Sequence, residues 1–252
     1  MTTLTLNRND VYTGNLVLVN ERYPLVSQRK VKLIPANVNH SSIFMEPDAV
    51  TALSNILSNI NCTDEIVPVS GYRSKEEQEQ IYVDSLKENG QEYTEKYVAL
   101  PQCSEHQTGY AVDLSFKKGV IDFICPDFPY DGICEMFRKT APKYGFVERY
   151  QSGKEDITGI AHEPWHFRFV GYPHSEIIIN RGLSLEEYID FIRQYPYGGK
   201  PLEIIGGKAT IHVFYAPIQL CDQILLNMPE HCFYQVSGNN VDGFIITIWR
   251  NE

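Results

Sequence analysis

The chain has 252 residues, enough for one sizeable core with an appendage but short for two large independent domains. Its 32 acidic against 22 basic side chains leave a net charge of −10, which argues against nucleic acid or an anionic membrane as the main partner. A composition of 43% hydrophobic and 21% charged residues, with no signal peptide and no membrane span readable, describes a soluble globular protein. The six cysteines, Cys62, Cys103, Cys125, Cys134, Cys221 and Cys232, are scattered without CxxC spacing, so free thiols in the cytoplasm are expected rather than a disulfide framework.

Residues 1 to 44 mix short apolar runs (NLVLV, KVKLI) with Asn and Pro, and read as short strands and loops around a core. From Met45 a helical period appears, with Val50, Leu53, Ile56, Leu57 and Ile60 recurring at three and four and Pro47 near the start. Ile66 to Val69 suits a short buried strand, followed by a turn at Gly71. Ser74 and Glu77 form a capping box that opens a helix to about Asn89. Arg73 is thereby delivered at a strand-to-helix junction, either to meet a developing negative charge or simply as a surface arginine on a turn. Residues 90 to 103 read as a loop; Cys103, at its end, reads as a small buried residue.

In SEHQTGYAVDLSF, residues 104 to 116, the side chains after Gly109 alternate: Tyr110, Val112, Leu114 and Phe116 against Ala111, Asp113 and Ser115. Asp113 therefore lies on a small, polar face. After a proline-rich stretch, residues 133 to 144 read as a helix ending at Gly145, and RYQSGKEDITG as a turn-rich connection.

EPWHFRF, residues 163 to 169, is the second informative stretch. The residue before a proline is kept out of the helical region, so Glu163 is extended and the following run is free to be a strand. Trp165, Phe167 and Phe169 then face a core, while His166 and Arg168 face the other way. If the two polar faces share one antiparallel surface, His106, Asp113 and His166 converge as three metal ligands with a fourth position open for water, as catalytic zinc requires. Glu163 is then the unligated base. Arg168, beside His166, would orient a ligand or Glu163, or form an ordinary ion pair.

HEPWH also matches the HExxH pattern, in which two histidines share a helical face. Pro164 and the two-residue alternation oppose a helix here, and four residues of strand span roughly 13 Å, too far for one ion to bridge. His162 is accordingly not expected to be a ligand.

Ser184 and Glu187 cap a further helix, LEEYIDFIRQY, which stops at Pro196 before YGGKP. That stretch divides the chain into residues 1–197 and 198–252. The second part reads as a hairpin, a short helix at LCDQILLNM and a second hairpin, a small ββαββ unit that packs beside the site or mediates association into a homodimer. His212 and His231 lie in apolar strands and read as structural.

The pieces SGYRSKEEQ, SEHQTGYAVDLSF and YGFVERYQSGKEDITGIAHEPWHFRFVG, in this order, resemble the zinc D,D-peptidases of the VanX and VanY type, and among them the VanXY group. The resemblance covers roughly residues 45 to 195 and leaves residues 199 to 252 outside it. It implies an α+β fold with a small antiparallel sheet flanked by helices, and a Zn2+ ion held by His106, Asp113 and His166. By the same resemblance Glu163 is the catalytic base, Arg73 stabilises the tetrahedral intermediate, and Gln78 and Ser104 touch the substrate. Its substrates would be small peptides ending in D-Ala-D-Ala, and its role glycopeptide resistance. A peptidoglycan endopeptidase and a non-catalytic zinc-stabilised binding protein are the alternatives. His162 stands where the family leads one to expect an aromatic residue.

Overall fold

The computed structural model describes residues 2–26, 31–37, 40–118, 121–206, 209–218 and 222–251. In chain order the elements begin with β1 (Thr2–Asn7), β2 (Ile34–Asn37), β3 (His40–Met45), α1 (Pro47–Asn59), β4 (Ile66–Ser70), α2 (Lys75–Asn89), α3 (Gln91–Tyr97) and β5 (Ala111–Phe116). They continue with α4 (Gly132–Thr140), β6 (Phe146–Tyr150), α5 (Glu155–Thr158), β7 (Glu163–Phe169), α6 (His174–Arg181) and α7 (Leu185–Ile192). The last five are β8 (Leu202–Gly206), β9 (Ala209–Pro217), β10 (Gln223–Met228), β11 (Phe233–Gly238) and β12 (Gly243–Asn251). The chain forms two compact units, one of Val19–Pro24 and Gln28–Ser184, the other of Met1–Leu18, Leu25–Ser27 and Leu185–Glu252.

The first unit is built on an antiparallel sheet of order β4-β5-β7-β6. Pro68 has no N–H to give a ladder, and it sits on the edge strand β4, where that costs least. The expected alternation holds on β5 and β7. Val112 lies opposite Phe167, and Asp113 opposite His166, so the first pair shares one face and the second pair the other. The apolar face, with Val112, Leu114, Trp165, Phe167 and Phe169, packs with Leu53 and Ile56 of α1 and Phe137 of α4. Phe128, Phe137 and Phe167 meet edge to face at centroid separations of 4.9 to 5.8 Å. Burying each such ring contributes about 1.5–3 kcal/mol.

Several local expectations are corrected here. Residues 91–97, read as loop, form α3, and the 133–144 helix ends at Thr140, because Pro142 lacks the N–H to continue it and sits in a separate tight turn, Ala141–Tyr144, closed by Gly145 at φ +96°. Of the connection expected at residues 149–159, Arg149 and Tyr150 end the edge strand β6 and Glu155–Thr158 form the short α5.

The second unit contains a four-stranded antiparallel sheet of order β11-β12-β9-β8 and a separate antiparallel pair, β1 with β10. Both hairpins expected after residue 198 are present. The expected helix at LCDQILLNM is not: residues 223–228 are β10, paired residue by residue with β1, and residues 220 and 221 lie outside the described residues. Leu226 and Met228 are buried while Leu225 is exposed, the two-residue period of a strand. The unit is therefore not ββαββ.

Its boundary also differs from 197/198. α7 buries Leu185, Tyr188, Ile189 and Ile192 and belongs to this unit, and residues 195–197 pair with β9 through backbone bonds between Tyr195, Tyr197 and Tyr215. Pro196 and the glycines after it mark a turn beside a sheet rather than a linker. NLVLV is likewise not a strand: the Leu16 N–H donates to Ser237 Oγ and the Leu18 N–H to the Asn239 carbonyl.

Candidate active site

Four elements of the first unit deliver the site. The cross-strand pair Asp113 and His166 is fixed by the β5–β7 register. His106 comes from a single tight turn, Glu105–Thr108, which reverses into β5 through Gly109 at φ +76°. A side chain at Gly109 would be strained in that conformation and would press on Glu46. Arg73 follows β4 and precedes α2, whose Ser74–Glu77 capping box closes in both directions as expected.

These groups converge. His106 Nε2 lies 3.1 Å from Asp113 Oδ2, and His166 Nδ1 lies 2.9 Å from Asp113 Oδ1. One ligand atom from each of the three residues falls within 4.8 Å of the others. The far nitrogen of His106, Nδ1, is 2.6 Å from the Gly71 carbonyl, which accepts its proton and leaves the Nε2 lone pair available on the Asp113 side. Glu163 Oε2 is 3.7 Å from His166 Nδ1 and outside the ligand set. Arg73 donates from Nε to Ser70 Oγ at 2.9 Å and from one terminal nitrogen to Asp113 Oδ2 at 2.9 Å. Two nitrogens and a carboxylate oxygen, buried and preoriented, suit a divalent metal and leave room for a fourth ligand.

The four titrating groups are all buried, and their environments drive them apart. Burial raises the Glu163 carboxyl to about 8, with the Asp113 charge adding to it and His166 opposing. Burial also opposes ionisation of Asp113, but the two imidazoles beside it prevail and hold its carboxyl well below the usual range. For His166 burial disfavours the cation, yet its bond to Asp113 and the Glu105 carboxylate 3.5 Å away outweigh that and raise it to about 9. His106 moves the other way, to about 4, through burial and the Arg73 charge. A carboxylic acid that keeps its proton near neutrality beside one that stays ionised is the pattern of an acid–base site.

Gln78 and Ser104 are buried and line the same cleft of about 440 Å3 as His106, Asp113, Glu163 and His166. Gln78 is also tied to the frame, accepting from Arg73 at 3.3 Å and donating to the Ala99 carbonyl at 2.8 Å. His162 turns elsewhere: it stacks on Tyr130, with Nε2 2.7 Å from the Tyr130 hydroxyl, and Tyr130 donates to Glu148. Pro164 lies within strand β7, so HEPWH is not helical. Arg168 is fully buried with its NH1 3.3 Å from Glu105 Oε1. Cys103 is buried and outside the ligand group, and burial raises its thiol pKa.

Sequence reasoning passed over Glu105 and Arg149. Arg149 donates from Nε to Glu105 Oε1 at 2.8 Å, and both side chains are completely enclosed. A carboxylate next to the His106 ligand position, inside a segment this buried, was the available signal for Glu105; no local pattern marks Arg149.

On an α+β scaffold, this arrangement places the chain in the class of metal-dependent hydrolases. A family model described as VanY, D-alanyl-D-alanine carboxypeptidase, matches residues 42–172. The bifunctional D-Ala-D-Ala dipeptidase and D-Ala-D-Ala carboxypeptidase VanXYC of Enterococcus gallinarum is 40% identical over 183 residues, which cover 72% of this chain and 96% of that protein. The crystal structure of the vancomycin resistance D,D-dipeptidase VanXYg, in complex with a D-Ala-D-Ala phosphinate analogue, matches with TM-score 0.96 and 54% identity over 99% of each chain. A VanY D,D-pentapeptidase from a VanB-type resistance cassette, in complex with Zn(II), matches with TM-score 0.58 and 28% identity over 69% of this chain and 98% of that one. The chain belongs to the VanY D-alanyl-D-alanine carboxypeptidase family. Its likeness to VanXYg also takes in residues 199 to 252, which lay outside the sequence motifs.

Proposed function

We propose that this protein hydrolyses the D-Ala-D-Ala peptide bond, both in the free dipeptide and at the end of peptidoglycan precursor pentapeptides, with zinc held by His106 Nε2, Asp113 and His166 Nδ1. The observation that carries this reading is the convergence of those three groups, with Glu163 beside them and Arg73 reaching the same carboxylate, in one cleft. Zinc bound there supplies a Lewis acid and lowers the pKa of a coordinated water toward ~7.

Glu163 takes a proton from the attacking water and hands it to the leaving amine of the terminal D-Ala. Its raised pKa suits both halves of that task, since a base near the working pH gives back what it accepts. Arg73, anchored on Ser70 and Gln78, presents its guanidinium to the oxyanion that develops at the scissile carbonyl. Gln78 and Ser104 line the bound peptide. A cleft of about 440 Å3 accommodates a dipeptide with space for the chain of a longer substrate. Tyr150 and Ile160 give it an apolar wall against which a terminal methyl packs, so D-Ala-D-Ser is disfavoured on the order of 100-fold.

The same reading places the enzyme in the cytoplasm, acting on soluble precursors and supporting vancomycin resistance. The free cysteines at 62, 103, 125, 134 and 232 are at home in that compartment. The test is amino-acid release from D-Ala-D-Ala, a pentapeptide ending in D-Ala-D-Ala, and D-Ala-D-Ser, with and without chelator and with zinc restored. The expected result is metal-dependent release of D-Ala from the first two and weak action on the third. Failure on both D-Ala-D-Ala substrates, or equal kcat/KM on D-Ala-D-Ser, would overturn the proposal.

A further inference from the structure

We infer that Glu105 is a positioning residue: it accepts the Nε2 proton of His166 and so fixes the tautomer that turns Nδ1 toward Asp113 and Glu163. The inference rests on the metal reading above and goes one layer behind it. On the side of His166 away from Asp113, Nε2 faces Glu105 Oε2 at 3.5 Å. Both atoms are buried, and neither has a hydrogen-bond partner among the described residues. A closing of about half an ångström makes this contact an ordinary N–H···O bond.

The identity of the proton follows from the other oxygen of Glu105. Oε1 accepts from Arg149 Nε at 2.8 Å and stands 3.3 Å from Arg168 NH1, so the group is an ionised carboxylate locked in place by two cations. An ionised carboxylate only accepts, and the nitrogen facing Oε2 must therefore carry hydrogen. Nδ1 faces the Asp113 carboxylate at 2.9 Å and would give up its hydrogen when a metal ion takes its lone pair there; the neutral ring then has one N–H, and Glu105 holds it at Nε2.

His106 obeys the same logic with the nitrogens exchanged. There the Gly71 carbonyl takes Nδ1–H and leaves Nε2 free to bind. The two rings thus present opposite nitrogens to a common point, each set by an acceptor on its far side. Completely burying one carboxylate with two guanidinium groups carries a heavy desolvation penalty that well-packed apolar side chains would avoid. Holding His166 gives that arrangement a use.

Glu105→Gln is the informative substitution because it keeps the shape and inverts the polarity. Arg149 and Arg168 require an oxygen at the Oε1 position, so the amide turns its NH2 toward His166 Nε2 and favours the wrong tautomer. The expected result, by competition with a chelator, is zinc affinity lowered about 10- to 100-fold. Glu105→Asp, which restores the acceptor, should recover part of it. Native protein labelled with 15N and loaded with zinc gives a second, folding-independent readout: long-range 1H–15N correlation should show His166 protonated at Nε2.

A folded Glu105→Gln protein that binds zinc as the native does, or a native spectrum with His166 Nε2 unprotonated, would overturn the inference alone. A native protein that takes up no zinc would overturn the metal reading, and this inference with it.

Discussion

Strands β5 and β7 carry two buried faces of opposite chemistry. On one side Val112, Leu114, Trp165, Phe167 and Phe169 fill a core; on the other Asp113, His166 and Arg168 are just as enclosed, among Glu105, Arg149 and Glu163. The apolar face is held by area, and a change in it is felt as volume. The ionic face is held by pairing, and a change in it is felt as an unmatched charge. One register sets both, because a slip by a single residue would exchange them. The sheet therefore stabilises with one side what it uses with the other.

The comparison is sharpest for Glu163→Gln. Its carboxyl already keeps a proton more readily than an ordinary glutamate, so the neutral amide fits; melting temperature and bound zinc should stay near native while kcat falls roughly 100- to 10,000-fold. Retained turnover would remove Glu163 from the chemistry. Phe167→Ala on the opposite face should do the reverse, costing about 3–5 kcal/mol in urea unfolding with kcat of the folded fraction close to native. If kcat collapsed as well, the two faces would not be separable.

Arg73→Ala should lower kcat about 100- to 1000-fold. Arg73→Lys should restore little, since a single ammonium cannot keep the Ser70, Gln78 and Asp113 contacts together. Equal rates for lysine and arginine at this position would reduce the guanidinium to a point charge.

The smallest expected effect is one of pH on chelator-treated protein. His166 and Glu163 both have raised pKa values in the folded chain, about 9 and about 8, against ordinary values of 6.5 and 4.5. Between pH 6.5 and 9 the folded state thus binds more protons than the unfolded state, and stability must fall as pH rises. Melting scans should show that decline in the native sequence and in Phe167→Ala alike, and a shallower one in His166→Gln. A decline of unchanged slope in His166→Gln would assign it to other groups.

What could be read from the sequence was local. Alternation in YAVDLSF and WHFRF places Asp113 and His166 on faces of known character, and Pro164 rules out the helical alternative. That both faces are buried could not be read, because the small residues Ala111 and Ser115 look the same against solvent or beneath a charged layer. Glu105 escaped for a related reason: its partners, Arg149 and Arg168, are 44 and 63 positions away, and only the fold brings them together. The misread segment at 220–228 failed on period, since Ile224, Leu225 and Leu226 in a row suit either a helix or a strand, and the strand that decides the matter is at the other end of the chain.

That pairing of β1 with β10 has a consequence for how the protein is made. Thr3 and Asn227 meet across 224 positions, so β1 leaves the ribosome long before the strand it pairs with. At ordinary rates of synthesis it waits roughly ten to forty seconds, and before that wait ends the first unit, Val19–Pro24 and Gln28–Ser184, becomes complete in sequence. The first unit can thus assemble while the second is still being written. A chain cut at residue 197 would keep β1 and α7 but lack every strand that covers them, leaving an open edge and a row of apolar side chains for other chains to meet.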